Sequence, residues 1–186
     1  MRRVVAAIAL ALLTAAPAAA ARWNVDHAKS RLGFTVQWSG EALNATFKSW
    51  NATIDFDPAN IAAAHAKVTI ALDSEDSGLP DNDDGLKGAQ GFAVTQFPAA
   101  SFETTGFKAT GGNNYVATGV LNLHGVTKTI ALPFTLTIAG NTAHMTGNAV
   151  VSRLDFGLGS SGEWAGETPI AHAVTITVDL TATKAP

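Results

Sequence analysis

The feature that most restricts this chain is an apolar alternation of period two that recurs almost throughout it, with helical periodicity scarce. Successive side chains of a strand point to opposite faces, so this period gives each strand one dry and one wet face. From Ser30 to Trp38, Leu32, Phe34, Val36 and Trp38 share one parity, and Arg31, Gly33, Thr35 and Gln37 the other. A run from Ala45 to Phe56 puts Trp50, Ala52, Ile54 and Phe56 on one face and ends at Asp57-Pro58, a turn signal. His65 to Leu72 repeats the pattern with Ala66, Val68, Ile70 and Leu72. Further runs cover Ser101 to Ala109, Tyr115 to Leu123, Thr129 to Ile138, Thr142 to Leu154 and Ile170 to Thr181. The expectation is an all-β domain of eight antiparallel strands. Eight is a number at which a barrel closes around packed side chains or one small ligand. Periodicity alone fits a β-sandwich of the same strand count as well.

The rhythm breaks between Asp73 and Gln96, where Gly78, Pro80, Gly85, Gly88 and Gly91 stand with an acidic cluster at Asp81, Asp83 and Asp84. One short helix near Asp83 to Ala89 fits there, weakened by its glycines. A helical or loop insertion of this length, around residues 73–96, often serves as a lid or binding loop, with a disordered hinge as the plain alternative.

At the start, Arg2 and Arg3 precede an uncharged apolar stretch from Val4 to Ala16, then Pro17 and the small residues Ala18 to Ala21. Such a stretch falls short of the ~20 residues of a spanning helix, and its flank suits signal cleavage. Residues 1–21 are therefore expected to be a signal peptide removed on general secretion to the periplasm. Residues 22–186 are expected to form a single domain without a stable membrane anchor. Losing Arg2 and Arg3 leaves 10 Lys and Arg against 15 Asp and Glu, a net charge of about −5. That balance offers no footprint for nucleic acid or an anionic membrane surface. With no cysteine, the domain has neither a disulfide nor a lipoprotein attachment site.

The order of several segments resembles one known family over essentially the whole mature chain. W-N-V-D-H-A-K-S-R-L-G-F-T-V, Trp23 to Val36, is similar to the YceI family's W-x-x-D-x-x-H/K-S-x-I-x-F-x-V entry motif. Ile54-Asp55-Phe56-Asp57 is followed by Ser74-Glu75-Asp76-Ser77-Gly78, which resembles the family's S-I-D-T-G. Leu121 to Pro133, L-N-L-H-G-V-T-K-T-I-A-L-P, resembles its L-T-I-H-G-V-T-K-x-V-x-L-P, and Arg153 to Leu158 its R-x-D-F-G-I. The chain departs from the pattern where R-D-x-H-L becomes Asp84-Gly85-Leu86-Lys87 and a doubled aromatic becomes Gly91-Phe92. The resemblance implies a lipocalin-like barrel whose long cavity binds a polyisoprenoid, such as a prenyl quinone or prenyl phosphate, or another long-chain lipid. It implies no other cofactor, no enzymatic activity, and a possible homodimer.

A barrel lined with aliphatic and aromatic side chains gains roughly 0.8 kcal/mol for each methylene taken from water, so ten chain carbons reach about 8 kcal/mol before ordering costs. On parity, the lining candidates are Phe34, Val36, Trp38, Ile54, Phe56, Val68, Ile70, Leu121, Leu123, Leu132, Phe134, Val174 and Ile176, with Phe92 from the irregular segment. A dry core is the alternative for each. His124, beside Gly125, either binds a ligand head group or fixes a turn. Arg153 and Asp155 are expected on one side of a strand, in a structural ion pair or with Arg153 receiving a phosphate or quinone oxygen. Trp164, on a Gly-rich loop, either gates the cavity or covers the barrel end. The remaining histidines, His27, His65, His144 and His172, show no metal-ligand spacing. No nucleophile elbow, zinc-protease motif or phosphate loop is present. A hydrolase or isomerase would have to rely on His124 with Asp155 or Glu163, and a structural or stress-related β-domain without stoichiometric lipid is the third class.

Overall fold

The computed structural model describes residues 20–186. The expected signal peptide falls, but for its last two residues, outside them. Among the described residues the strands are β1 (Arg22–Val25), β2 (Arg31–Trp38), β3 (Glu41–Phe47), β4 (Trp50–Asp55), β5 (His65–Ala71), β6 (Glu75–Asp76), β7 (Ala99–Gly111), β8 (Asn114–Leu123), β9 (Val126–Ala139), β10 (Thr142–Ser152) and β11 (Ile170–Lys184), with one α-helix, α1 (Pro80–Lys87).

Eight strands close a barrel, in the order β1, β4, β5, β7, β8, β9, β10, β11, and β11 returns to β1 through Trp23↔Lys184 and Val25↔Ala182. Every pairing is antiparallel. β11 is long enough to hold β1 at its C-terminal end and β2 along the rest, from Ile170↔Trp38 to Asp179↔Arg31. Between β1 and β2 the chain makes one 3₁₀ turn, where the Asp26 side chain accepts from Ala28 N at 3.1 Å and Ser30 Oγ donates to Asp26 O at 2.7 Å. β3 and β6 extend the wall outward from β2.

Three expectations about elements are corrected. The run from Ala45 to Phe56 is two strands, because the chain turns a corner at Lys48-Ser49, where Lys48 N donates to Ser74 O and Ser49 N to Ser74 Oγ, both at 3.0 Å. The helix starts at Pro80 rather than Asp83. Proline suits a first helical position, and Asp81 and Asp83 lie in the first turn, where carboxylates favour the helix dipole. Arg153 to Phe156 is a 3₁₀ turn closed by Gly157 at φ 74°, so Arg153 and Asp155 do not share a strand face: Arg153 is buried and Asp155 exposed.

The buried side chains form three groups along the barrel axis. Phe34, Val36, Leu72, Leu86, Phe92 and Phe156 belong to the group at the α1 end, by Ile170 at the start of β11. Leu32, Trp50 and Leu180 form the middle group. Trp23, Phe56, Tyr115 and Phe134 form the far group, near Ala182, with the Tyr115 and Phe134 rings stacked 5.4 Å apart.

Candidate ligand cavity

A cavity of about 260 Å³ runs through all three groups, so the interior is neither wholly filled nor polar. Its wall is what period two produces: Phe34 and Val36 from β2, Val68 and Ile70 from β5, Leu121 and Leu123 from β8, Leu132 and Phe134 from β9, and Val174 and Ile176 from β11 all face it. Ile54 and Phe56 line it around the end of β4, and Phe92 and Trp164 line it from the loops. Several inward positions carry almost no side chain, including Ala66, Ala117, Ala143 and Ala149, and these leave the lumen its space. Gly33 is there for another reason. A Cβ on it would stand 2.1 Å from Ala45 O, so only glycine lets β3 approach this closely.

Parity also concealed part of the wall. In β7 a register shift between Thr104 and Gly106 reverses the facing, so that Phe102 and Phe107, of opposite parity, both turn inward. Leu32, Trp50 and Leu180 share the parity of neighbouring candidates and line the cavity too, a signal the alternation did contain, and Met145 lines it from β10, a strand for which parity named no wall candidate. Trp23, Phe156 and Leu158 lie outside the long strands and had no such signal.

The polar groups that reach the wall are already bonded. Thr104 Oγ1 accepts from Ala66 N at 2.8 Å and donates to Ala66 O at 3.2 Å. Trp23 Nε1 donates to Phe56 O at 2.8 Å. Arg153 borders the cavity, yet its guanidinium is surrounded by six backbone carbonyls. Nε donates to Ala171 O at 3.1 Å, Nη1 to Leu158 O at 2.8 Å and Gly159 O at 3.0 Å, and Nη2 to Gly166 O and Ile170 O at 2.8 Å and to Trp164 O. Burial lowers its proton affinity, against the pull of the Glu167 charge. With every donor engaged, Arg153 is not free to receive a phosphate or quinone oxygen. It instead gathers the loop of residues 157–169 around itself. Gly159, at φ 58°, is part of that fit, since a Cβ there would stand 2.6 Å from Arg153 Nη1 and 2.8 Å from Trp164 Cβ.

Two further candidates are not on the wall. Trp38, at the end of β2, does not line the cavity but meets the edge of Trp164, ring centroids 5.4 Å apart at 75°. Gly85 of α1 lies against both indoles, so α1 and the two tryptophans cover one barrel end together. His124 also stands off the wall, in a turn at φ 54°, its ring 4.5 Å from that of Phe97. Its Nδ1 lies 3.1 Å from Phe156 O, an acceptor, so Nδ1 carries the proton and donates. The residue fixes the β8–β9 turn to the 3₁₀ turn after β10.

The remaining histidines are dispersed on the outside: His65 by Glu103, His144 by Asp179, His172 by Glu167, and His27 against the Trp50 ring. Among the described residues no three His, Cys, Asp or Glu side chains converge on a metal position. One group under α1 gave no sign of itself in the sequence. Glu75 of β6, which the sequence marks only as part of the S-I-D-T-G-like segment, is 2% exposed, and no donor reaches either carboxylate oxygen. Loss of water pushes its pKa up to about 7, helped by Asp83 and opposed by Lys87.

The YceI-like domain family matches residues 23–182. A UPF0312 protein of Pseudomonas savastanoi is 30% identical over 173 residues, 87% of this chain and 90% of the relative. The crystal structure of BcnA from Burkholderia cenocepacia superposes with a TM-score of 0.82 at 31% identity, covering 86% of this chain and all of that one. A polyisoprenoid-binding domain from Saccharophagus degradans, implicated in plant cell wall breakdown, shares the fold at a TM-score of 0.67 and 15% identity, covering 89% of this chain and 99% of its own. The residues that the family model matches span the barrel, its cavity and its arginine-centred loop, and the chain belongs to the YceI-like family.

Proposed function

We propose that this protein is a binding protein which, after export to the periplasm, holds a long apolar lipid in the barrel, an isoprenoid or another long-chain amphiphile. The observation that carries the reading is the cavity wall: it is apolar along its length, and Thr104 and Arg153, which reach it, are bonded to backbone. Such a surface gains free energy by taking hydrocarbon from water and has nothing to hold a polar solute. Because Arg153 has no donor to spare, an uncharged head such as a prenyl quinone suits the cavity better than a prenyl phosphate, whose charge would stay outside it. Binding rather than turnover is also the better reading of His124, which donates to Phe156 O away from the cavity.

Trp23, Trp50 and Trp164 line the cavity, so occupancy is readable in their fluorescence. Titration with a prenyl quinone is expected to quench the emission with saturation at one equivalent, and the matching prenyl phosphate to bind more weakly. Emission unmoved by either compound would overturn the reading.

A further inference from the structure

The barrel end beneath α1 carries more than a lipid cavity requires. α1 and the chain that follows it form one folded unit, since Phe92 N donates to Leu86 O at 2.6 Å, Ala93 N to Gly88 O at 2.9 Å and Val94 N to Lys87 O at 3.2 Å. The unit presents Leu86, Gly91 and Phe92 to the cavity. On its N-terminal side it joins the wall through β6, only two residues long and paired with β3 alone, as Thr46↔Asp76 and Phe47↔Glu75. Gly78, at φ 78° with open space around it, follows β6. Across this joint Asp83 of α1 accepts hydrogen bonds from Ser77 N at 2.9 Å and from the Ser77 hydroxyl.

Glu75 is buried at this joint. Its two carboxyl oxygens are out of water and no donor meets them. An ionised carboxylate in such a place loses its hydration without replacement, whereas the neutral acid is itself a donor with the Asp83 carboxylate beside it as acceptor. The surrounding charges are Asp83 and Lys87 from α1, Asp76 next in β6, and Lys48 after β3, which is committed to Asp76 at 2.6 Å. Lys48 offsets Asp76 and Lys87 offsets Asp83, so no positive charge is left over to compensate a third carboxylate. Ionised Glu75 regains water and escapes Asp83 only if α1 lifts.

We infer that α1 and its following loop are a pH-sensitive lid on the cavity, latched while Glu75 is a neutral acid and released when it ionises. That lipid passes beneath the lid rests on the function proposed above; the latch itself does not. The sign follows from linkage. Glu75 binds its proton more tightly with the lid closed, up to about 7, than it does in water, so closure is fully favoured below the ordinary carboxylate range. It weakens as the pH rises, until the closed-lid value has been passed. Between about pH 5 and about pH 8 the opening equilibrium is expected to rise on the order of 10- to 100-fold.

Amide hydrogen exchange on the protein as isolated, corrected for intrinsic rates and without added lipid, reads the latch. Exchange in residues 77–97 is expected to accelerate over that pH range while β8 to β11 stay protected. In Glu75→Gln, which is neutral at every pH, and in Glu75→Leu, which needs no donor, the acceleration should be absent. Equal pH dependence in wild type and both variants, or opening spread over the whole barrel, would overturn the latch. The release rate of a bound prenyl quinone, followed by tryptophan fluorescence, should rise with pH in step with lid exchange. Release indifferent to pH would overturn the lid as a gate. A protein that binds no quinone would refute the lipid reading, and the exchange result would still decide the latch.

Discussion

A guanidinium buried without a carboxylate partner has to be stabilised by dipoles, and Arg153 has six carbonyl oxygens around it from Leu158 to Ala171. No lysine reproduces that planar spread of donors. Arg153→Lys is therefore predicted to lose about 3 kcal/mol in urea denaturation, through carbonyls left without a donor. Stability equal to wild type would mean that the loop finds other partners. A smaller effect is expected at Thr104, whose hydroxyl spans the end of β5–β7 pairing by bonding both Ala66 N and Ala66 O. Thr104→Val keeps the shape and removes the bridge, at a predicted cost of about 1–2 kcal/mol at the denaturation midpoint. No loss would place water in the bridge.

At the scale of the element, the short strand β1 closes the ring. It is tied to β4 by a two-pronged ion pair in which Arg22 Nε and Nη2 donate to Asp55 at 2.7 and 2.8 Å. That hydrogen bonding holds the Asp55 carboxyl below its ordinary range. A depressed carboxyl contributes its stabilisation above the ordinary carboxylate range and loses it as the pH falls through the native value. β1 is accordingly predicted to fray on acidification, seen as faster amide exchange at Asn24 and Val25, whereas Asp55→Asn frays at neutral pH and changes little further. Retained protection in acid would show that backbone pairing alone holds the strand. The strands themselves were legible because alternation reports facing directly. Their breaks were not. The inward positions are odd in β3, at Leu43, Ala45 and Phe47, and even in β4, at Trp50 and Ile54, so the facing shifts by one residue at the Lys48-Ser49 corner that a single run from Ala45 to Phe56 passes over. The bulge in β7 makes the same shift within a strand that continues. Arg153 was misplaced because Thr142 to Leu154 reads as one run, and only Gly157 hints that a turn is closing.

Across the whole molecule, the barrel wall follows from period two, while its ends depend on contacts between distant segments. Phe34, Val68, Leu121 and Val174 could be placed on the wall from their spacing alone. Trp38 and His124 share that parity or border it but stand at the rim, where Trp164 and Phe156 from later in the chain meet them. Glu75 was illegible for the same reason, since its burial is made by α1 packing over β6. The lumen exists because small residues occupy inward positions, so filling one should close it. Ala149→Phe is predicted to keep the β-sheet circular dichroism and weaken prenyl quinone binding at least about 10-fold through lost volume; unchanged affinity would put the binding site elsewhere. The central claim, that the cavity holds a long apolar lipid, is tested most directly by mass spectrometry of an organic extract of the protein, purified without detergent from its own host. A stoichiometric isoprenoid or long-chain lipid is the predicted result. An extract that yields no lipid, from a protein that also takes up none when offered prenyl quinones, would contradict it.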